Sequence, residues 1–278
     1  MVIGADGYYD AKSEKKIGKV STYCEYGRSG LIREPANAFS SLAICIPALI
    51  ILRRWTELPV ASRFERVDSS NASLALSQTI SADNFPSDGY LTSDSSEGEV
   101  SVSPWLSRSP ELVVFCLAAI LVGLSSFAAH GTKMSLAGTM DSSTMVLWIL
   151  IPILWAARRL LGFSQHVWFT LWLAGAVVIG VYMKLTKGVG VTEAYNILIP
   201  VWILLELIAW RRFGTPSKWI GYGAISFAIA YGAWSLGKRD MVLCVPESLL
   251  QLHAVWHIFC ALAVYAIWRH LADSQLPQ

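Results

Sequence analysis

The chain is short of charge. Asp, Glu, Lys and Arg make up 15% of its 278 residues, where a soluble domain carries roughly 25%. That is too little to clothe a water-facing surface. A formal net charge of +2 argues for neither a nucleic acid nor an acidic partner. The five cysteines (Cys24, Cys45, Cys116, Cys244 and Cys260) contain no CxxC pair, which removes the usual thiolate zinc motifs. There is no Gly-rich phosphate loop and no internal repeat. The first 35 residues are polar, so no signal-peptide core is expected and the first apolar run serves as its own insertion signal. What the chain has in plenty is apolar side chains, at 54%, together with 12 Trp and 10 Tyr. Such rings settle at headgroup depth. The composition is that of a polytopic membrane protein.

A bilayer core needs about 20 apolar residues as helix. Seven stretches qualify, at 36–52, 112–130, 141–157, 167–183, 194–210, 219–236 and 249–268. The expected fold is all-α, with seven transmembrane helices built from 36–55 and 110–270. The sixth stretch, rich in Gly, Ala and Ser, is the weakest, although small residues favour close helix packing in membranes. Arg53-Arg54, Arg158-Arg159, Arg211-Arg212 and Arg269 follow spans one, three, five and seven. By the positive-inside rule that side is cytosolic. The N-terminal segment 1–35 then lies outside or in a lumen, and the tail 271–278 inside, despite Lys12, Lys15, Lys16 and Lys19.

Residues 56–109 are Ser-rich and acidic. They lack the large apolar side chains that would offset ordering entropy, so a disordered cytosolic loop is expected. Within it "TSDSSEGE" reads either as a target for an acid-directed kinase or as plain solvated linker. Asn71 opens a glycosylation sequon that a cytosolic loop would never use.

Ionisable side chains inside spans are costly and mark function or a buried pairing. Here His130 closes span two, with Ser126 one helical turn before it, and Asp141 opens span three. His253 and His257 lie in the first half of span seven. With alternating spans these groups share one leaflet. Residues four apart stand on one helix face, so His253 and His257 can grip one ion. Ala254 stands where an HExxH protease carries its Glu, so any base comes from elsewhere, and Asp141 is nearest. Three imidazoles and one open position make a catalytic zinc shell, with His130 as the third. The plainer alternative is a set of interfacial histidines with hydrogen-bond partners, the reading taken for His166 and His270.

"SSFAAH", then Asp141 eleven residues after His130, then "HAVWH" resemble the three-part signature of the alkaline ceramidases. That family belongs to a superfamily of seven-span membrane hydrolases that includes adiponectin-receptor-like proteins. "YCEYGRSGLIREPANAFSSLA" is similar to the family's opening Cys-Glu and its Glu-x-x-Asn-x-x-Ser, here Glu34, Asn37 and Ser40. The resemblance touches spans one, two, three and seven.

It implies zinc on His130, His253 and His257, with Asp141 as general base and Ser126 as a hydrogen-bond donor. The reaction implied is amide hydrolysis of ceramide, a substrate that partitions into the bilayer. The same resemblance implies calcium near Glu25, Glu34 and Tyr23. Against it, Thr22 stands where an Asp is expected and Gly27 where an Asn is, and two carboxylates are few for a cation that takes six to eight oxygens. The alternative for both acids is a helix N-terminus, whose dipole favours them. A Cys24–Cys244 disulfide is also implied, as is an endoplasmic reticulum or Golgi membrane, with no obligate protein partner. Three functions follow: a ceramide amidase, the same zinc machinery on another lipid, or a receptor of the adiponectin-receptor type. A transporter is disfavoured, because no span carries a charge at its midpoint.

Overall fold

A computed structural model describes residues 15–57, 109–185, 191–214 and 217–274. The Ser-rich stretch, its sequon and the last four residues lie outside them. Among the described residues the chain is helical apart from loops and a small N-terminal hairpin. Helix α1 (Pro35–Ser41) passes through a 3₁₀ turn (Leu42–Ile44) into α2 (Cys45–Glu57). Then come α3 (Pro110–Thr132), α4 (Ser135–Leu161), α5 (Gln165–Leu185), α6 (Val191–Phe213), α7 (Lys218–Leu236) and α8 (Leu252–Asp273).

Local chemistry accounts for the breaks. Pro47 has no N–H for the carbonyl four residues back and its ring crowds it, so the first rod tightens at Leu42–Ile44 before continuing. Pro110 opens α3, where its missing N–H costs nothing. Lys133 and Gly162, at φ 58° and 72°, end α3 and α4 in the left-handed conformation.

Six segments are long and apolar enough to cross a membrane: the Pro35–Arg54 rod, α3, α4, α5, α6 and α8. The protein is therefore an integral, multi-pass membrane protein by the character of its helices. The helix outside that set is α7, whose glycines, alanines and serines dilute its hydropathy. Those small side chains let it lie along α8 in the most extensive helix pairing of the fold. Half of the apolar window in α3 and in α8 is buried within the protein, 50% in each, against 6% in α5 and 11% in α6. So α3 and α8 form the centre, wrapped by α1, α2, α4 and α7, while α5 and α6 turn Val177, Val178 and Ile197 outward. Gly123 is where α1 and α2 press closest on α3. A Cβ there would lie 2.4 Å from Cys45 Sγ and 3.1 Å from the Ser41 carbonyl oxygen.

The end of the bundle away from the histidine cluster is stapled by buried ions. Glu111 of α3 meets Arg158 of α4 and accepts from Gln165 of α5 at 3.0 Å. Glu206 of α6 lies 3.5 Å from Arg159 and 3.1 Å from His270 Nε2. His270 is buried rather than interfacial, and it meets Glu206 at ion-pair distance, not in a hydrogen bond.

Candidate metal centre

At the other end, α3 and α4 are joined only by Lys133 and Met134. The left-handed Lys133 returns its N–H to the Ala129 carbonyl at 3.0 Å and reverses the chain at once. This folds the last turn of α3, with His130, against the first turns of α4. Asp141 does not open its helix as expected: α4 starts six residues earlier, at Ser135, because so tight a link leaves no room for a polar loop. The carboxylate consequently stands two turns in. His253 and His257 occupy the first two turns of α8, both buried.

The three histidines converge. One ligand nitrogen from each of His130, His253 and His257 lies within 4.8 Å of the others, and Nε2 of His130 is 3.1 Å from Nε2 of His253. Ser126 Oγ lies 3.5 Å from His257 Nε2, and Asp141 lies beside Ser126 within the field of His130. Such a group can hold a metal ion.

The hydrogen bonds around the rings say which nitrogens face inward. His130 Nδ1 is 2.8 Å from Glu34 Oε2, and Lys133 Nζ is 2.7 Å from the other Glu34 oxygen. Burial raises the Glu34 carboxyl pKa, but the His130 bond and the Lys133 ammonium outweigh it and bring it down to about 2. Glu34 is therefore ionised and accepts a hydrogen bond from the His130 Nδ1–H. The Ser40 hydroxyl donates to the Asn37 carbonyl at 3.0 Å, so at 2.9 Å from His257 Nδ1 it can only accept. Both rings are thus held with Nδ1 protonated and the Nε2 lone pair free, the arrangement in which a carboxylate orients a metal-ligating histidine. Asp141 Oδ1 and His253 Nδ1 are buried with no hydrogen-bond partner. The orphaned Asp141 oxygen, beside the inward Nε2 lone pairs of His130 and His257 and the Nε2 of His253, fits a site completed by a divalent metal and its water.

Glu34→Gln is expected to lower metal affinity about 10- to 100-fold, the usual cost of losing an outer partner of a ligand. Metal retention against a graded chelator measures it, and unchanged retention would remove Glu34 from the site's support.

A cap lies over this centre. Residues 18–27 form a small hairpin, with Val20 bridged to Tyr26 and Gly18 N–H donating to the Gly27 carbonyl at 2.7 Å. Its tip stacks Tyr23 on His253, centroids 3.9 Å apart at 11°. Cys24 is disulfide-bonded to Cys244 in the loop before α8, as the resemblance implies. Arg239 N–H donates to the Thr22 carbonyl at 2.9 Å, tying the same two segments again.

The residues suggested for calcium are otherwise engaged. The two carboxylate oxygens of Glu25 accept the N–H groups of Ala36 and Asn37, both at 2.9 Å. Glu25 thus caps α1 from the hairpin, as an acid at a helix N-terminus should. Glu34 is spoken for on both oxygens, and Tyr23 serves as a stacking ring. A Cβ on Gly27 would fall 2.2 Å from the Lys16 carbonyl oxygen, so the tight turn has no room for the expected asparagine. This donor set does not fit calcium, and the cation facing Glu34 is the ammonium of Lys133.

The supporting roles of Glu34, Ser40 and Lys133 go beyond the sequence reading. The register of Glu34, Asn37 and Ser40, three residues apart on one helical face, is the signal that could have found two of them. No family model matches the chain, and no curated protein is similar enough to stand as a relative.

Proposed function

We propose that the protein is a zinc-dependent intramembrane amidase that hydrolyses ceramide to a sphingoid base and a free fatty acid. The observation that carries this reading is the buried trio of His130, His253 and His257, with Asp141 and Ser126 beside it. Three imidazoles with a fourth position open are the ligand set of hydrolytic zinc. Bound there, zinc supplies Lewis acidity that polarises a carbonyl and acidifies water.

The chain's own groups do the rest. Asp141, with one oxygen unpaired, takes the proton of the attacking water and passes it to the departing amide nitrogen. The C–O bond forms first, and the C–N bond breaks afterwards, as the carbonyl re-forms and the proton reaches the nitrogen. Ser126 donates a hydrogen bond to the carbonyl oxygen as charge builds there, a contribution of about 3 kcal/mol for one such donor. Tyr23 and the hairpin close the centre from above. With α7 counted as the sixth of seven spans, the alternation would bring these groups to one leaflet. The Cys24–Cys244 bridge calls for an oxidising compartment, and the arginine pairs end their spans on the opposite side. Together they support a luminal N-terminus in the endoplasmic reticulum or Golgi.

Metal analysis of purified protein beside ceramide turnover tests the proposal. About one zinc per chain with release of sphingoid base is the expected result. A wild-type protein that binds no zinc ends it. Zinc without ceramide turnover moves the chemistry to another lipid amide or ester, or the role to a receptor.

A further inference from the structure

The loop joining α7 to α8 is ordered yet apolar on its outside. Gln251 clamps it from within, its Nε2 donating to the carbonyls of Ser248 at 2.6 Å, Val245 at 3.1 Å and Pro246 at 3.4 Å. The Cys24–Cys244 bridge holds its middle. On either side of that bridge Met241, Val242, Leu243, Val245, Leu249 and Leu250 all stand exposed, Val242 at 95%, Leu249 at 77% and Leu250 at 78%. A floppy loop could tuck such side chains away. One pinned at both its middle and its end cannot, so something apolar must cover them.

The neighbouring surface says what. The last turns of α7 carry Tyr231 and Trp234, 5.5 Å apart between centroids, and Trp256 of α8 lies 6.1 Å from Trp234. Lys238 Nζ sits over the Trp234 ring at 3.5 Å. Aromatic rings beneath a long cationic side chain mark headgroup depth, and the loop is continuous with that belt. Its charges are balanced, with Arg239 paired to Asp240 at 3.3 Å and Glu247 exposed, so no anionic lipid is required.

We infer that the α7–α8 loop is a membrane-immersed sill: it rests its apolar side chains in the leaflet on the histidine side, where a lipid crosses towards the metal centre. The immersion follows from the loop alone. The guiding role rests on the hydrolase reading and adds to it that the substrate arrives laterally past Leu249 and Leu250, four and three residues before His253.

Nitroxide labels test the immersion. Single cysteines replace Val242, Leu249 or Glu247 in a Cys260→Ala background, and the protein is reconstituted in phosphatidylcholine vesicles. Labels at Val242 and Leu249 should be accessible to oxygen and shielded from a nickel chelate, while the label at Glu247 reports water. Water-like accessibility at both Val242 and Leu249 overturns the inference, whatever the enzyme's activity. Leu249→Asp combined with Leu250→Asp tests the guiding role. At wild-type zinc content, this variant should raise the apparent KM for bilayer ceramide about tenfold, equal to about 1.4 kcal/mol. An unchanged KM removes that role. Immersed labels on a zinc-loaded but inactive wild type would leave the sill standing and defeat the hydrolase reading.

Discussion

His257→Ala is expected to empty the metal centre and abolish turnover together. His257 supplies one of three inward nitrogens, and its other nitrogen is anchored through Ser40 to the Asn37 carbonyl. Removing the ring deletes a ligand and frees the anchor in one step. Two imidazoles on separate helices, His130 and His253 at 3.1 Å, leave the site one short of the three-histidine set that holds catalytic zinc. Zinc per chain should fall from about one to near zero, read by elemental analysis, with ceramide turnover lost in parallel. His166→Ala, on the exposed start of α5 at the other end of the bundle, is the control and should retain both. A His257→Ala protein that keeps its zinc would mean that the trio does not hold the metal.

Asp141→Asn should separate the two properties. The substitution keeps the shape of the side chain but removes its ability to take a proton. Asp141 Oδ1 has no hydrogen-bond partner to lose, and none of the inward nitrogens is its own. Metal content should therefore match wild type, while turnover drops roughly 100- to 10,000-fold, the usual worth of a positioned base. Single-turnover hydrolysis of ceramide at matched zinc content measures it. Equal rates would take Asp141 out of the chemistry.

Much of this centre is legible before any coordinates. The four-residue spacing of His253 and His257 puts both on one helix face, and alternation of spans brings His130 and Asp141 to the same leaflet. Of the seven stretches that the apolar runs suggest, six are helices long and apolar enough to cross a membrane, and the Gly-Ala-Ser stretch singled out as weakest is α7, the helix whose composition falls short. Other features are not local and stay hidden. Glu34 reaches His130 across 96 residues and Ser40 reaches His257 across 217. The three-residue register of Glu34, Asn37 and Ser40 marks them as one face, but it does not announce which distant histidine each meets. The calcium expectation fails because a tight turn at Gly27 and the capping of α1 by Glu25 claim the space and the oxygens. The start of α4 is mistaken by six residues because "SLAGTM" looks polar enough for a loop. Only the reversal at Lys133 makes that stretch helical.

The bridge between Cys24 and Cys244 spans 220 residues, and this orders the protein's birth. The first cysteine leaves the ribosome long before its partner, and most of the helices must be threaded into the bilayer while it waits. The Tyr23 tip therefore locks down only when the final helix is being delivered. A chain stalled before α8 has neither the locked tip nor two of the three imidazoles, His253 and His257.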